Sequence, residues 1–298
     1  MTAARCGIVA VVGEPNAGKS SFINRLLGTK VSIVSPKAQT TRAPLTAIWT
    51  DEKRGAQVIF RDTAGLTEPK RRLEKSMMAA AIGRAREADC LLFMAAPILG
   101  VSAEIAEKLR ALGRPVVGAV NQIDAAPKLK TADTVAAMEA LGLCKGVFPI
   151  SAKTGLGIDA LMDFLVPLMP ESHFLYDDAE QVSDQSERAF AAEITREKLF
   201  LFLHDELPYQ LTVETDSWQE RPDGAVRVEQ TVFVARESYR KIILGAGGAL
   251  IKKIGTAARV ELTEALGRPI HLFLFVKVRE GWLDDPARFR AMGLDHKA

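Results

Sequence analysis

Short apolar runs alternate with amphipathic segments along the first 170 residues of the chain. A run that is apolar throughout is typical of a strand buried on both faces, and a 3.6-residue period is typical of a helix packed against it. The alternation predicts an α/β fold with a mostly parallel sheet and helices on both faces. The predicted strands are 6–12, 45–50, 57–62, 89–95, 115–121 and 146–151, and the predicted helices are 19–28, 74–87, 103–112, 131–141 and 157–168.

The pattern changes after residue 170. Residues 171–185 are rich in charges and lack periodicity, so we interpret them as a linker between a first domain at 1–170 and a second at 186–298. The second domain has the order helix, strand, strand, helix, helix, strand, which indicates an α+β fold followed by a short C-terminal helix. Its predicted elements are a helix at 186–206, strands at 210–216, 225–235 and 269–278, a turn at 221–224 and two helices flanking 245–248.

Composition and charge narrow the functional classes only slightly. The net charge of the 298 residues is +2, so neither nucleic-acid nor membrane binding follows from global charge, and any such argument has to be local. The three cysteines lie far apart without a C-x-x-C pair. We therefore expect reduced thiols rather than a disulfide framework or a zinc site.

The first predicted strand ends at the sequence GEPNAGKS, which fits the G-x-x-x-x-G-K-S pattern between a strand and a helix. Backbone N–H groups of such a glycine-rich turn, together with a helix N-terminus, cradle a polyphosphate. We expect Lys19 to reach the β- and γ-phosphates and Ser20 to ligate Mg²⁺. The predicted phosphate-binding residues are Gly13, Glu14, Pro15, Asn16, Ala17, Gly18, Lys19, Ser20 and Ser21.

Three further motifs at predicted strand ends identify the nucleotide as GTP or GDP. In DTAG, Asp62 belongs to the Mg²⁺ shell and the Gly65 N–H can sense the γ-phosphate. In NQID, the Asp124 carboxylate can accept hydrogen bonds from N1–H and N2–H₂ of guanine, a donor pair that adenine lacks. In SAK, which follows the last predicted strand, a backbone N–H can back the base. Four motifs in order at one sheet edge form a specific signature. The nucleotide-binding set adds Asp62, Thr63, Ala64, Gly65, Asn121, Gln122, Asp124, Ser151, Ala152 and Lys153.

The polar segment PKAQTTRAP between the first two strands predicts a switch loop. Its Thr41 would ligate Mg²⁺ only when the γ-phosphate is present, so the expected metal ligands are Ser20, Thr41 and Asp62. Leu66 follows DTAG and cannot orient water, so hydrolysis is either slow or assisted by other groups. We hypothesise that Asn16, inside the loop, helps to hold a monovalent cation near the phosphates. The expected catalytic residues are Asn16, Lys19, Thr41 and Gly65.

These motifs together resemble the translation-factor-related GTPases that carry a hydrophobic residue in place of the catalytic glutamine. In the second half, REKLFLFLHDELPYQLTVE, ILGAGGALIKKIG and GWLDDPARFRAMGLD resemble the Era family of bacterial GTPases over nearly the whole chain. The resemblance implies a P-loop NTPase-type domain followed by a type II KH domain. It also implies binding near the 3′ end of 16S rRNA during assembly of the 30S subunit, and hydrolysis stimulated by potassium through Asn16.

The residues of the second half agree with a KH domain, which holds single-stranded RNA with a G-x-x-G loop between two helices. The loop here is GAGG, and basic residues surround it although the whole chain is nearly neutral. We interpret the stripe HLFLFVKV at 271–278 as sheet core rather than a base-stacking platform. The predicted RNA-binding residues are Arg236, Lys241, Gly245, Ala246, Gly247, Gly248, Lys252, Lys253 and Arg259.

The chain departs from the family pattern at three positions. Gln122 replaces the usual lysine, Ala64 replaces a common proline, and Ala246 with Gly247 replace a polar or basic residue in the RNA loop. We expect Gln122 to weaken nucleotide binding and the RNA loop to leave more phosphate contact to Lys252 and Lys253. We also expect a cytoplasmic monomer without an obligate protein partner. The alternatives are a nucleotide-gated RNA adaptor with negligible turnover and a protein held peripherally at the inner face of the membrane.

Overall fold

The computed structural model of the chain describes residues 4–37, 40–42, 45–66, 69 and 71–296. Residues 38–39 and 43–44 of the predicted switch segment lie outside this set, and so do the last two residues of the chain. Two compact units are present. The first unit comprises Met1–Ser32, Ala38–Asp184 and Met292–Ala298, and the second comprises Ile33–Lys37 and Gln185–Ala291.

The first unit is built on a six-stranded sheet with the order β2-β3-β1-β4-β5-β6. Strand β2 pairs antiparallel with β3, and the other pairs are parallel. The predicted mostly parallel α/β sheet is therefore confirmed. The strands are β1 (Arg5–Gly13), β2 (Leu45–Asp51), β3 (Ala56–Asp62), β4 (Cys90–Ala95), β5 (Val116–Val120) and β6 (Cys144–Pro149), and the helices are α1 (Lys19–Leu27), α2 (Arg72–Glu87), α3 (Ala103–Arg110), α4 (Lys128–Ala140) and α5 (Ile158–Leu165).

Helices cover both faces of this sheet because successive strand side chains point to opposite sides. Val9 and Val11 of β1 belong to a core that includes residues of α1 and α5. Ala10 and Val12 belong to a second core that includes residues of α2, α3 and α4. Since β1, β3, β5 and β6 are parallel, the loops that follow them emerge at one edge, where open α/β sheets bind ligands.

The predicted linker differs from the structure, because residues 171–184 belong to the first unit. Gln57 accepts hydrogen bonds from the N–H groups of Leu175 and Tyr176 through its side-chain oxygen, at 2.9 and 3.0 Å. The N–H of Ile48 donates to the Val182 oxygen at 2.9 Å. Tertiary hydrogen bonds to β2 and β3 thus hold in place a segment that has no periodicity of its own.

The second unit contains a three-stranded sheet with the order β7-β8-β9, in which β7 and β8 are antiparallel and β8 and β9 are parallel. The predicted turn at 221–224 is present, with Gly224 at φ 80° and its N–H bonded to the Arg221 oxygen. The elements are α6 (Glu187–Phe202), β7 (Leu211–Glu220), β8 (Val226–Val234), α7 (Glu237–Leu244), α8 (Ala249–Leu266), β9 (Ile270–Val278) and α9 (Pro286–Ala291).

Two buried clusters fill the space between this sheet and helices α6, α7 and α8. Leu272, Leu274 and Val276 of β9 pack against these clusters. The interpretation of 271–278 as sheet core is wrong for the alternate positions: Phe273 is 42% exposed and Phe275 is 48% exposed. The physical reason is the period of two, which sends those rings to the opposite face of the sheet.

The second unit also includes Ile33–Lys37, which the sequence placed in the first domain. Ile33 is buried among residues of α6 and α8, and the Val34 N–H donates to Glu197 Oε1 at 2.7 Å. Met292–Ala298, predicted in the second domain, counts with the first unit, where Leu294 is buried. Among the described residues, no helix is long and apolar enough to cross a membrane.

Candidate nucleotide site and RNA groove

The phosphate loop lies between the end of β1 and the start of α1, as the motif predicts. Gly13, Asn16 and Gly18 all have positive φ, at 148°, 64° and 87°. A Cβ atom on Gly18 would lie 2.2 Å from Nδ2 of Asn121, so only glycine fits this approach. The turn therefore places main-chain N–H groups at the N-terminus of α1, where a phosphate binds favourably.

The ammonium group of Lys19 is buried among main-chain carbonyl groups of the phosphate loop. The side chain is 6% exposed, and Nζ donates to the oxygens of Glu14 at 2.8 Å and Gly13 at 3.3 Å. Burial lowers the pKa of Lys19 to about 8, while the nearby carboxylates of Asp62 and Glu14 oppose that shift. A bound triphosphate would supply the missing negative charge and favour the ammonium form.

The three predicted metal ligands meet at the end of β3. Ser20 Oγ donates to Asp62 Oδ2 at 2.7 Å and lies 3.2 Å from Thr41 Oγ1. Burial raises the pKa of Asp62, although hydrogen bonds and the Lys19 charge oppose the shift. Asp62 Oδ1 is buried and has no hydrogen-bond partner among the described residues. Hard oxygen donors with one such free carboxylate oxygen fit Mg²⁺, which would also stabilise the charged carboxylate.

Ser32 joins this cluster, and the sequence did not point to it. Its Oγ donates to Asp62 Oδ2 at 3.0 Å. The side chain of Asn24 holds the turn in place: Oδ1 accepts from the N–H groups of Val31 and Ser32, and Nδ2 donates to the Ser32 oxygen. No sequence motif includes Ser32, whose main chain is held by the side chain of Asn24 in the preceding helix α1.

The DTAG segment packs directly against the phosphate loop. Thr63 Oγ1 donates to the Val11 oxygen at 2.6 Å, and the Leu66 N–H donates to the Gly13 oxygen at 3.0 Å. A Cβ atom on Gly65 would lie 2.6 Å from the backbone nitrogen of Pro15. Glycine is thus required sterically at position 65, which keeps its N–H close to where a γ-phosphate would bind.

Asn121 links the two guanine-binding motifs, NQID and SAK, to the phosphate loop through hydrogen bonds. Its Nδ2 donates to the Ala17 oxygen at 3.0 Å, and its Oδ1 accepts from the Ala152 N–H at 2.9 Å. Ser151 Oγ donates to Asp124 Oδ1 at 2.7 Å. Asp124 and Lys153 are exposed, so the carboxylate is accessible to the edge of a guanine base. The nucleotide residues named from the sequence thus converge at one edge of the sheet.

The predicted RNA loop connects α7 to α8 as GAGG. Gly245, Gly247 and Gly248 have φ values of 71°, 58° and 81°, which side chains rarely adopt. A Cβ atom on Gly245 would meet Leu250 Cβ at 2.8 Å. The loop therefore turns tightly into the N-terminus of α8, which can face a phosphate group.

A groove of about 380 Å³ runs beside this region between α8 and β9. Lys252 and Arg259 line it together with apolar residues of both elements. Lys253 lies elsewhere, with Nζ 4.8 Å from the centre of the Phe202 ring, and Arg236 lies over Tyr239. Lys241 is exposed on α7. Of the predicted cations, Lys252 and Arg259 are the ones that line the groove.

The fold and both sites define a P-loop GTPase domain joined to a KH domain. A family model described as 50S ribosome-binding GTPase matches residues 8–122, and one described as KH domain matches residues 206–283. GTPase Era of Sinorhizobium medicae is 48% identical over 98% of this chain and 94% of its own length. GTPase Era of Rhizobium meliloti is 48% identical over 98% of this chain and 93% of its own length. The chain belongs to the Era family of GTPases.

Two solved structures are similar to this chain over 97% of its length. Era of Aquifex aeolicus bound to GDP and aluminium fluoride is 35% identical, has a TM-score of 0.90, and matches 97% of this chain and 99% of its own. Era in complex with MgGDPNP and nucleotides 1506–1542 of 16S ribosomal RNA is 35% identical, has a TM-score of 0.91 and has the same coverage. The chain is a GTP-binding and GTP-hydrolysing protein that uses Mg²⁺.

Proposed function

We propose that this GTPase binds the 3′ region of 16S rRNA through the groove between α8 and β9 and assists assembly of the 30S subunit. The proposal rests on the presence, in one chain, of the Asp62 cluster and the Gly245–Gly248 loop beside a cation-lined groove. A similar Era structure holds a GTP analogue and 16S rRNA nucleotides together, which supports this target.

In the proposed cycle, GTP orders the switch segments and hydrolysis releases them. Ser20, Thr41 and Asp62 would hold Mg²⁺, and the Gly65 N–H would contact the γ-phosphate. RNA affinity would then depend on which nucleotide is bound. The contacts that support this scheme are those of Ser20 and Thr41 with Asp62, since all three side chains meet in the described structure.

Crosslinking to total cellular RNA tests the target. The full chain is loaded with a non-hydrolysable GTP analogue or with GDP, crosslinked, and the captured RNA is sequenced. Enrichment at the 3′ end of 16S rRNA in the GTP state supports the proposal. Uniform capture of RNA, or capture that is the same with the GTP analogue and with GDP, would contradict the proposal. It would indicate that the second unit binds RNA only as a nonspecific basic surface.

We also propose slow hydrolysis that potassium accelerates through Asn16. Asn16 lies in the phosphate loop with φ 64°, next to the place where phosphates would bind. A monovalent cation there could offset developing negative charge. Steady-state rates in KCl and NaCl, for the wild type and Asn16→Ala, test this. A rate that is equal in the two salts contradicts the cation role.

The alternative function is a nucleotide-gated RNA adaptor with negligible turnover. The observation that favours it is Leu66, which is buried and cannot position water. Single-turnover hydrolysis with and without 30S particles separates the two functions. A rate that rises on 30S particles supports a GTPase cycle, whereas RNA binding that follows the nucleotide without hydrolysis supports the adaptor.

We propose a cytoplasmic location, because the proposed target is the 30S subunit. A peripheral association with the inner membrane face is the competing location. Sedimentation of lysate membranes, washed with high salt, distinguishes the two. Recovery of the chain with ribosomal particles rather than membranes is the expected result.

A further inference from the structure

The two oxygens of the buried Asp62 carboxylate have different surroundings. Oδ2 accepts hydrogen bonds from three hydroxyl groups, those of Ser20 at 2.7 Å, Ser32 at 3.0 Å and Thr41 at 3.4 Å. Oδ1 is buried and has no hydrogen-bond partner among the described residues. A buried carboxylate keeps its charge only where hydrogen bonds or a cation replace the lost water. The hydroxyl groups thus hold one oxygen, and the other is open to a metal ion or to water bound to it.

Ser32 differs from the other two hydroxyl donors, because it is not an expected metal ligand. Ser20 and Thr41 are expected to direct their oxygens to Mg²⁺, which changes the geometry of their bonds to Asp62. The Ser32 side chain is 5% exposed, and its hydroxyl hydrogen is directed to Asp62 Oδ2. Its bond to the carboxylate is therefore available both with and without a metal ion.

The position of Ser32 is set by helix α1, which also carries Ser20. Asn24 lies four residues after Ser20, so the two side chains project from the same face of the helix. Asn24 Oδ1 accepts from the N–H groups of Val31 at 3.0 Å and Ser32 at 2.9 Å, and Asn24 Nδ2 donates to the Ser32 oxygen at 2.7 Å. One helix therefore holds both the expected metal ligand and the second hydroxyl donor to Asp62.

We propose that Ser32 is a positioning residue, which holds the Asp62 carboxylate in the orientation that binds Mg²⁺. It acts through Asp62 and does not contact the nucleotide. This inference rests on the proposed function, because it adds a residue to the support of the proposed metal ligands. Hydrogen-bond partners of a metal-binding carboxylate typically account for about 10- to 100-fold in metal affinity.

The contribution of Ser32 depends on the nucleotide. In the proposed cycle Thr41 is released with GDP, so Asp62 then keeps only the hydroxyl groups of Ser20 and Ser32 among its three donors. Thr41 already makes the longest of the three contacts, at 3.4 Å. Ser32 thus supplies a larger share of the support in the GDP state, and its main effect is to retain Mg²⁺ after hydrolysis.

The test measures metal binding by the full chain in the presence of GDP. Release of a fluorescent GDP derivative is recorded against Mg²⁺ concentration, and binding of Mn²⁺ is followed by electron paramagnetic resonance. We expect Ser32→Ala to raise the half-saturating concentration of both metals about tenfold. The shift should be smaller with a non-hydrolysable GTP analogue, because Thr41 then also contacts Asp62. In EDTA the affinity for GDP should equal that of the wild type.

Asn24→Ala tests the same route independently, because it keeps the Ser32 hydroxyl group and removes the three bonds that hold the adjoining main chain. It should shift the Mg²⁺ dependence in the same direction. The double variant should bind Mg²⁺ no more weakly than Ser32→Ala alone, because Asn24 acts through Ser32. Ser76→Ala in α2 is the matched control: its hydroxyl group is also buried and has no hydrogen-bond partner among the described residues. It should leave the Mg²⁺ dependence unchanged.

An unchanged metal dependence in Ser32→Ala overturns the inference. So does a loss of GDP affinity that is equal in EDTA and in Mg²⁺, which would show that the change damages the phosphate loop itself. Shifts of the two single variants that multiply in the double variant overturn the route through Asn24. If release of GDP from the wild type does not respond to Mg²⁺, the proposed set of metal ligands fails instead, and this failure is distinct from the others.

Discussion

The side-chain amide of Gln122 donates a hydrogen bond of 2.8 Å to the main-chain oxygen of Asn16. Gln122 itself has φ 65°, and Asn16 has φ 64°. The bond is a second link between the base motif and the phosphate loop, beside the one from Asn121 to the Ala17 oxygen. An amide at this position keeps that link without the positive charge of the lysine usual in the family.

We predict that Gln122→Ala accelerates GDP dissociation about two- to tenfold, which corresponds to the loss of one neutral hydrogen bond. Gln122→Lys should slow dissociation below the wild-type rate, because a charged donor forms a stronger bond. Stopped-flow measurement with a fluorescent GDP derivative provides the rates. Gln181→Ala is the control, since it removes a similar amide bond to the Ser183 oxygen within the same unit. Identical rates for all variants would contradict the prediction.

Gly65→Ala should damage the site although it adds a single methyl group. Its Cβ would lie 2.6 Å from the Pro15 nitrogen and 2.8 Å from the proline ring, so the two loops must separate. We expect a loss of about 1–3 kcal/mol in the free energy of unfolding, measured by urea denaturation, together with weaker GTP binding.

The matched control for that change is Gly83→Ala in α2, where an added Cβ meets no atom within 4 Å. Alanine is the better helix former, so this variant should gain about 0.5–1 kcal/mol in the free energy of unfolding. If both variants lose similar stability, the close approach of Gly65 to Pro15 is not the cause.

The nucleotide site could be predicted from sequence because each motif is short, continuous and attached to the end of a strand. To place Lys19, Asp62 and Asp124 in one site, it was enough to expect that the carboxyl ends of parallel strands lie at one edge of the sheet. Ser32 could not be predicted, since it belongs to no motif and the side chain of Asn24 positions it through hydrogen bonds. The open face at Phe275 also could not be predicted, because an alternating apolar stripe does not reveal which face of an edge strand a helix will cover.

Leu66→Gln should not create a faster enzyme. Leu66 is 4% exposed and packs in the core that contains Val12 and Ala81, so a glutamine there would be buried rather than directed at water. We expect kcat to stay the same or fall, and the free energy of unfolding to drop by about 2–3 kcal/mol. Leu66→Met keeps the apolar volume and should cost less than about 1.5 kcal/mol. A rise in kcat with Leu66→Gln would contradict this placement.

Asp124→Asn should change the preferred base from guanine to xanthine. The carboxylate can accept from both N1–H and N2–H₂ of guanine, whereas an amide offers one acceptor and one donor. Xanthine has N1–H beside a C2 carbonyl, which matches that amide. Calorimetry with GTP and XTP should show about 10- to 100-fold weaker GTP binding and a gain for XTP.

Asp133→Asn, which neutralises an exposed carboxylate on α4, is the control for charge alone. It should leave both affinities unchanged. If Asp124→Asn weakens GTP and XTP equally, the carboxylate supports the loop structure through its hydrogen bond with Ser151 rather than reading the base.

Ala246→Lys should strengthen RNA binding, because Ala246 is exposed in the glycine loop at the N-terminus of α8. A lysine there can contact one more phosphate and release one more counterion, so the slope of log affinity against log salt should steepen by about 0.7. Fluorescence anisotropy with single-stranded RNA, at KCl concentrations from about 50 to about 200 mM, measures the affinity and its dependence on salt. Leu201→Lys adds the same charge on α6, outside the groove. If Leu201→Lys steepens the slope equally, the gain reflects total charge, and the loop is not where the backbone of the RNA binds.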